Sequence, residues 1–186
     1  PVCAGLWLLT CIPNHALRWD LSSMTLGAFR VGLAQQLLDP DAWSEPSLLY
    51  YRDGFSTTVS VERWGKHLTL KNNGKVEASN GHDMTTQIMV AAYPLLWHSR
   101  GPQDLEVAVI GFGSGVTIGS ALQFPIAHVD AIELEPSVMD AALTFFEDVS
   151  LLHRTHQAAP WAEHARMRIV QDDGRNFLAS TDRRYD

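Results

Sequence analysis

The sequence predicts an α/β protein in which a doubly wound parallel sheet follows a small antiparallel β domain. Three observations carry this reading. An apolar run, Val107 to Ile110, stops at glycines on alternate positions, Gly111, Gly113 and Gly115. Val129-Asp130-Ala131-Ile132-Glu133 reads as the next strand and has an acid at its C-terminal end. Upstream, between Leu48 and Ala78, apolar and polar residues alternate as in half-buried antiparallel strands.

The elements follow in order. Pro1 to Ile12 is apolar but too short to span a bilayer, and it lacks the basic region of a signal peptide. Two readings stay open: the end of a membrane helix beginning upstream of Pro1, or an apolar linker packed on the core. Cys3 and Cys11 have no partners at metal spacing and read as free thiols of a reducing compartment. Leu26, Phe29, Leu33 and Leu37 form a helical stripe within Ser22 to Leu38, which Pro40 ends. Asp39 to Pro46 reads as a loop. Strands follow over Thr58-Val59-Ser60-Val61-Glu62 and His67-Leu68-Thr69-Leu70, with Asn72-Asn73-Gly74 as a turn signal.

Helical spacing returns at Met84, Ile88, Ala91 and Leu95 and stops by Gly101-Pro102. Parallel strands are expected near 105–110, 128–133 and 167–171. Pro136 suits the first turn of a helix from Pro136 to Phe146. The division is 1–47 as an N-terminal extension, 48–81 as the β domain and 82–186 as a nucleoside-binding domain. The chain begins at Pro1 and stops at Tyr185-Asp186 after the third strand–helix unit, which predicts a fragment with a C-terminally incomplete sheet.

A strand that feeds a glycine turn and then a helix is the nucleotide-binding corner of such a sheet. Glycine lets the chain turn tightly and lets a ligand approach the backbone. The spacing is G-x-G-x-G, and Val116 stands where the dinucleotide pattern has its third glycine. That favours a sulfonium nucleoside such as S-adenosylmethionine over a nicotinamide cofactor. Glu133 lies roughly 20 residues after the glycines, where an acid accepts both ribose hydroxyls. Asp130 is expected at solvent or at the sheet edge. Asp172-Asp173-Gly174 ends the third strand. Its acid either accepts from an adenine amino group or belongs to a solvated turn, and Gly174 lets a helix start close by.

Other chemistries are excluded or weakened. The formal net charge of -7 argues against nonspecific nucleic-acid binding. His153, His156 and His164 lack a carboxylate or cysteine to complete a metal set, so no metal is expected. Ser114 is not in a G-x-S-x-G setting, so it reads as a ligand hydrogen-bonding group, not a nucleophile.

The order of parts resembles the spermidine synthase (polyamine aminopropyltransferase) family. The parts are a β-rich lead, Tyr93-Pro94-Leu95-Leu96, Gly111-Phe112-Gly113-Ser114-Gly115, Ile132-Glu133-Leu134-Glu135-Pro136 and Gln171-Asp172-Asp173-Gly174-Arg175. The likeness covers about Leu48 to Asp186. It is closer to a bacterial branch in which this domain follows a membrane segment. It implies a class I methyltransferase-like (Rossmann-like) sheet and, as co-substrate, S-adenosylmethionine or decarboxylated S-adenosylmethionine. Gly111, Gly113, Ser114, Gly115, Glu133, Asp173 and Gly174 would bind that nucleoside. Asp83 and Gln87 would bind a small-molecule amine substrate. A homodimer is compatible with the family. So is a cytoplasmic location, or the cytoplasmic domain of an inner-membrane protein.

The departures matter. The family's glycine-loop aspartate, which pairs with the ammonium of the aminopropyl arm, is Ser114 here. Its tyrosine and histidine fall on Thr86 and Ala92, and an earlier glutamine falls near Thr57. The catalytic acid would lie beyond Asp186. Two alternatives therefore stay open: an S-adenosylmethionine-dependent methyltransferase, and a noncatalytic nucleoside-binding regulatory domain.

Overall fold

Strand β1 (Ser47–Asp53) opens a four-stranded antiparallel meander with β2 (Thr58–Trp64), β3 (His67–Asn72) and β4 (Lys75–Ser79). This is a computed structural model that describes residues 46–150 and 165–186, with Leu21, Thr25 and Leu152. The apolar start with both cysteines, nearly all of the Ser22–Leu38 stripe, and His153, His156 and His164 lie outside the described residues. Among the described residues no helix is long and apolar enough to cross a membrane.

The β3–β4 turn forms where the sequence signalled it. Asn73 and Gly74 both take positive φ, 48° and 76°, the left-handed pair that a two-residue hairpin turn needs. On β2 the alternation buries Val59 and Val61, which join Leu70 of β3 and Ala78 of β4 in the core. On the opposite face, Glu62 and Lys71 form a buried ion pair at 2.6 Å.

Helix α1 (Met84–Trp97) leads to β5 (Glu106–Ile110), and a glycine loop leads to α2 (Val116–Ala121). Strand β6 (His128–Glu133), α3 (Pro136–Phe145), β7 (Met167–Gln171) and α4 (Gly174–Ser180) complete the order. The three later strands form a parallel sheet, β5-β6-β7, with Ile110 opposite Ile132 and Glu133 opposite Gln171. Helix α1 packs on α2, while α3 packs on β2, β3 and β6. One apolar core therefore runs from Val59 and Leu70 through Phe112 and Val138 to Phe146.

Asp130 departs from expectation. It is 0% exposed, not at solvent or at an edge. The reason is topological: β6 is the middle strand, and residues 181–186 fold back towards it. Arg168, directly opposite in register, grips the carboxylate through Nε and Nη2 at 2.8 and 2.7 Å. Tyr185 donates its hydroxyl to Oδ2 at 2.6 Å, and His128 Nε2 lies 3.0 Å from Oδ1. Burial alone would raise this carboxyl, but the hydrogen bonds from Arg168, Tyr185 and His128 pull it down to about 2. A buried charge paired and bonded in this way is tolerated.

Candidate nucleoside-binding site

The site begins with backbone conformation. Gly111, Gly113 and Gly115 have φ of 90°, 54° and 81°, a region costly for any residue with a Cβ. Gly111 N still donates to Ile132 O at 2.7 Å, so the loop leaves the sheet directly from the ladder. The chain then turns sharply, with Gly115 N bonded to Phe112 O at 2.9 Å.

Phe112 is buried and fixes the loop on the core. Its backbone N–H donates to Glu133 Oε2 at 2.8 Å, and Glu135 N donates to Oε1 at 2.8 Å. Both carboxylate oxygens are thus oriented by amides. A carboxylate offers about four acceptor sites, so each oxygen keeps capacity for one more donor. Glu133, Gly111, Phe112, Gly113 and Ser114 line one cavity of about 230 Å³.

A second group of expected residues meets at the same cavity. Ser114, 1% exposed, donates its hydroxyl to Gln87 Oε1 at 2.5 Å. Gln87 Nε2 in turn donates to Asp83 Oδ2 at 3.0 Å and to Ser79 O at 2.8 Å. Asp83 also accepts from Ser79 N at 2.9 Å and from the Ser79 hydroxyl. Gln87 lines the inner cavity, whereas Asp83 lines an outer, polar one of about 510 Å³.

Other expected residues are not brought to the inner cavity. Asp173 caps α4, its Oδ1 accepting from Arg175 N at 2.9 Å and Asn176 N at 3.0 Å. Gly174 begins that helix, and a Cβ there would meet Ile110 Cγ2 at 2.6 Å. Close packing against Ile110 is by itself enough to call for glycine at that position. Gly115 is the N-cap of α2. Among the described residues no group of three histidine, cysteine, aspartate or glutamate side chains could hold a metal.

The curated relatives with matching sequence are polyamine aminopropyltransferases. That of Korarchaeum cryptofilum is 24% identical over 129 residues, covering 69% of this chain and 36% of the relative. That of Alkaliphilus metalliredigens is 25% identical over 129 residues, covering 69% of this chain and 40% of the relative. No protein-family model matches. The fold agrees. Spermidine synthase from Thermotoga maritima superposes with a TM-score of 0.63 at 17% identity, covering 75% of this chain and 44% of that one. A spermidine synthase complexed with the transition-state analogue AdoDATO gives the same TM-score, 0.63. The chain is thus similar in sequence to polyamine aminopropyltransferases and shares the spermidine synthase fold. It spans between 36% and 42% of the length of the curated relatives it matches.

Within this spermidine synthase fold, several residues of the site gave no signal in the sequence. The amides of Phe112 and Glu135 orient Glu133, and backbone donors carry no residue code. Glu135 itself clips the β1–β2 loop to α3: it accepts from Ser56 N at 2.9 Å and from the Ser137 hydroxyl at 2.9 Å. Burial would raise the Glu135 carboxyl, yet these bonds hold it below the ordinary carboxylate range. Asn72 and Glu77, from the β3–β4 hairpin, line the inner cavity opposite the glycine loop. They come from the other sheet, which only the tertiary fold brings near.

Proposed function

We propose that this domain binds the adenosyl part of a sulfonium nucleoside and belongs to an aminopropyltransferase acting on a small amine. The observation that carries the reading is Glu133. Its carboxylate is preset by two backbone amides at the rim of a glycine-loop cavity, with acceptor capacity left for a ribose diol. Kinship to polyamine aminopropyltransferases supports the same chemistry.

In that chemistry the lone pair of a neutral amine attacks the carbon joined to the sulfonium. The C–N bond forms, the C–S electrons pass to sulfur, and methylthioadenosine leaves. A base takes the proton of the new ammonium. The described residues serve binding and alignment; no base is assigned among them. Asp173 remains our candidate for the adenine end, through the acceptor capacity its capping role leaves free.

One observation favours a second reading. Ser114 is neutral and bonded to Gln87, so the loop itself does not repel a ligand carboxylate. Intact S-adenosylmethionine, and hence methyl transfer, fits such a loop. Calorimetry of the intact protein with methylthioadenosine, decarboxylated S-adenosylmethionine and S-adenosylmethionine tests the binding. Product analysis with a diamine then separates the two transfers. Binding of none of the three nucleosides contradicts the proposal.

A further inference from the structure

Two polar groups of the inner cavity play no part in the adenosyl reading. Asn72, the last residue of β3, lines the cavity, and its Oδ1 is buried with no hydrogen-bond partner. A buried carbonyl oxygen without a donor is costly and uncommon in a native protein. Glu77, on β4, lines this cavity and also the outer one. Its Oε1 accepts from Lys75 Nζ at 3.0 Å, in a pair with side chains 68% and 37% exposed. Such an exposed pair holds weakly and yields readily to another cation.

The charges of the wall narrow the choice. The carboxylates lining the inner cavity are Glu77 and Glu133. Glu133 is oriented by the Phe112 and Glu135 amides. The Gln87 amide donates to Ser79 and Asp83, and Ser114 spends its proton on Gln87. An acceptor-rich corner therefore remains on the hairpin, facing the loop whose own side chain is neutral.

We propose that Glu77 and Asn72 form an ammonium-binding corner. The Glu77 carboxylate and Asn72 Oδ1 accept N–H bonds from the terminal ammonium of the ligand's aminoalkyl arm. The corner rests on the adenosyl reading of the site and adds the residues that recognise the arm. Specificity for a cationic arm then comes from the small β sheet, while the adenosyl end is held by the parallel sheet.

Two probes with uncharged sulfur isolate the ammonium. Methylthioadenosine has none, and decarboxylated S-adenosylhomocysteine carries one on an aminopropyl arm. Calorimetry on the intact protein should show Glu77→Gln weakening the second probe by about threefold to tenfold. Methylthioadenosine should change by less than about twofold in the same variant, which also reports an intact site. Asn72→Ala should act in the same direction. Weakening of both probes alike, or a change of less than about threefold for the aminopropyl probe, overturns the corner. Failure of methylthioadenosine to bind the unmodified protein overturns the adenosyl reading and the corner with it.

Discussion

Ser114 donates its hydroxyl to Gln87 Oε1 at 2.5 Å and is 1% exposed. The glycine loop thus presents an uncharged, already bonded side chain where the resemblance to spermidine synthases places an acid. A carboxylate about 4 Å from an ammonium gains on the order of 4 kcal/mol at an effective dielectric near 20, before desolvation. With no acid in the loop, Glu77 is left as the carboxylate proposed to face the arm, and preference for decarboxylated over intact S-adenosylmethionine should be weaker than in a spermidine synthase with an acid in that loop. Ser114→Asp should raise that preference. A thousandfold preference in the unmodified protein would make Ser114 incidental and leave the discrimination to an acid such as Glu77.

Asp130 gives the fold a defined acid response. Its carboxyl sits at about 2 when folded, against 3.8 as a free group. A lowered folded value means its stabilisation is complete above pH 3.8 and is lost as pH falls through about 2. The difference corresponds to about 2 kcal/mol. Urea titrations between pH 5 and pH 2 should show Asp130→Asn less stable at the upper end but flatter in its pH dependence. Parallel profiles for the two proteins would contradict this account.

Glu135 should matter for stability before it matters for binding. It is 3% exposed, caps α3 and holds the β1–β2 loop through Ser56. Glu135→Ala strands the Ser56 and Ser137 amides and should cost about 1–3 kcal/mol. A shift of the urea midpoint reads the loss. A midpoint unchanged within error would show that the β1–β2 loop has no need of the clip.

Much of this was legible in the sequence, for physical reasons. The alternation around Val59 and Val61, the Asn73-Gly74 turn and the apolar run into Gly111 are local patterns, and each formed where it was written. Glu133 falls beside the glycine loop as its spacing implied, because strand length and the loop fix its distance from Gly111. Asp130 was misread because burial of a charge depends on Arg168 and Tyr185, which lie 38 and 55 residues away. Asp173 has a local capping role that its spacing does not distinguish from ligand binding. Asn72 and Glu77 were missed because the approach of the β3–β4 hairpin to the glycine loop has no periodic signal.

The central claim is that Glu133 holds the ribose of an adenosyl ligand. Calorimetry of methylthioadenosine binding to the intact protein and to Glu133→Ala tests it most directly. Circular dichroism must first show that the variant, which removes the carboxylate that the Phe112 and Glu135 amides donate to, is folded; Glu133→Gln serves if it is not. Loss of charge-assisted hydrogen bonds worth about 1.5–3 kcal/mol predicts weakening of about tenfold or more. Unchanged affinity in a folded variant would remove Glu133 from the site and contradict the account.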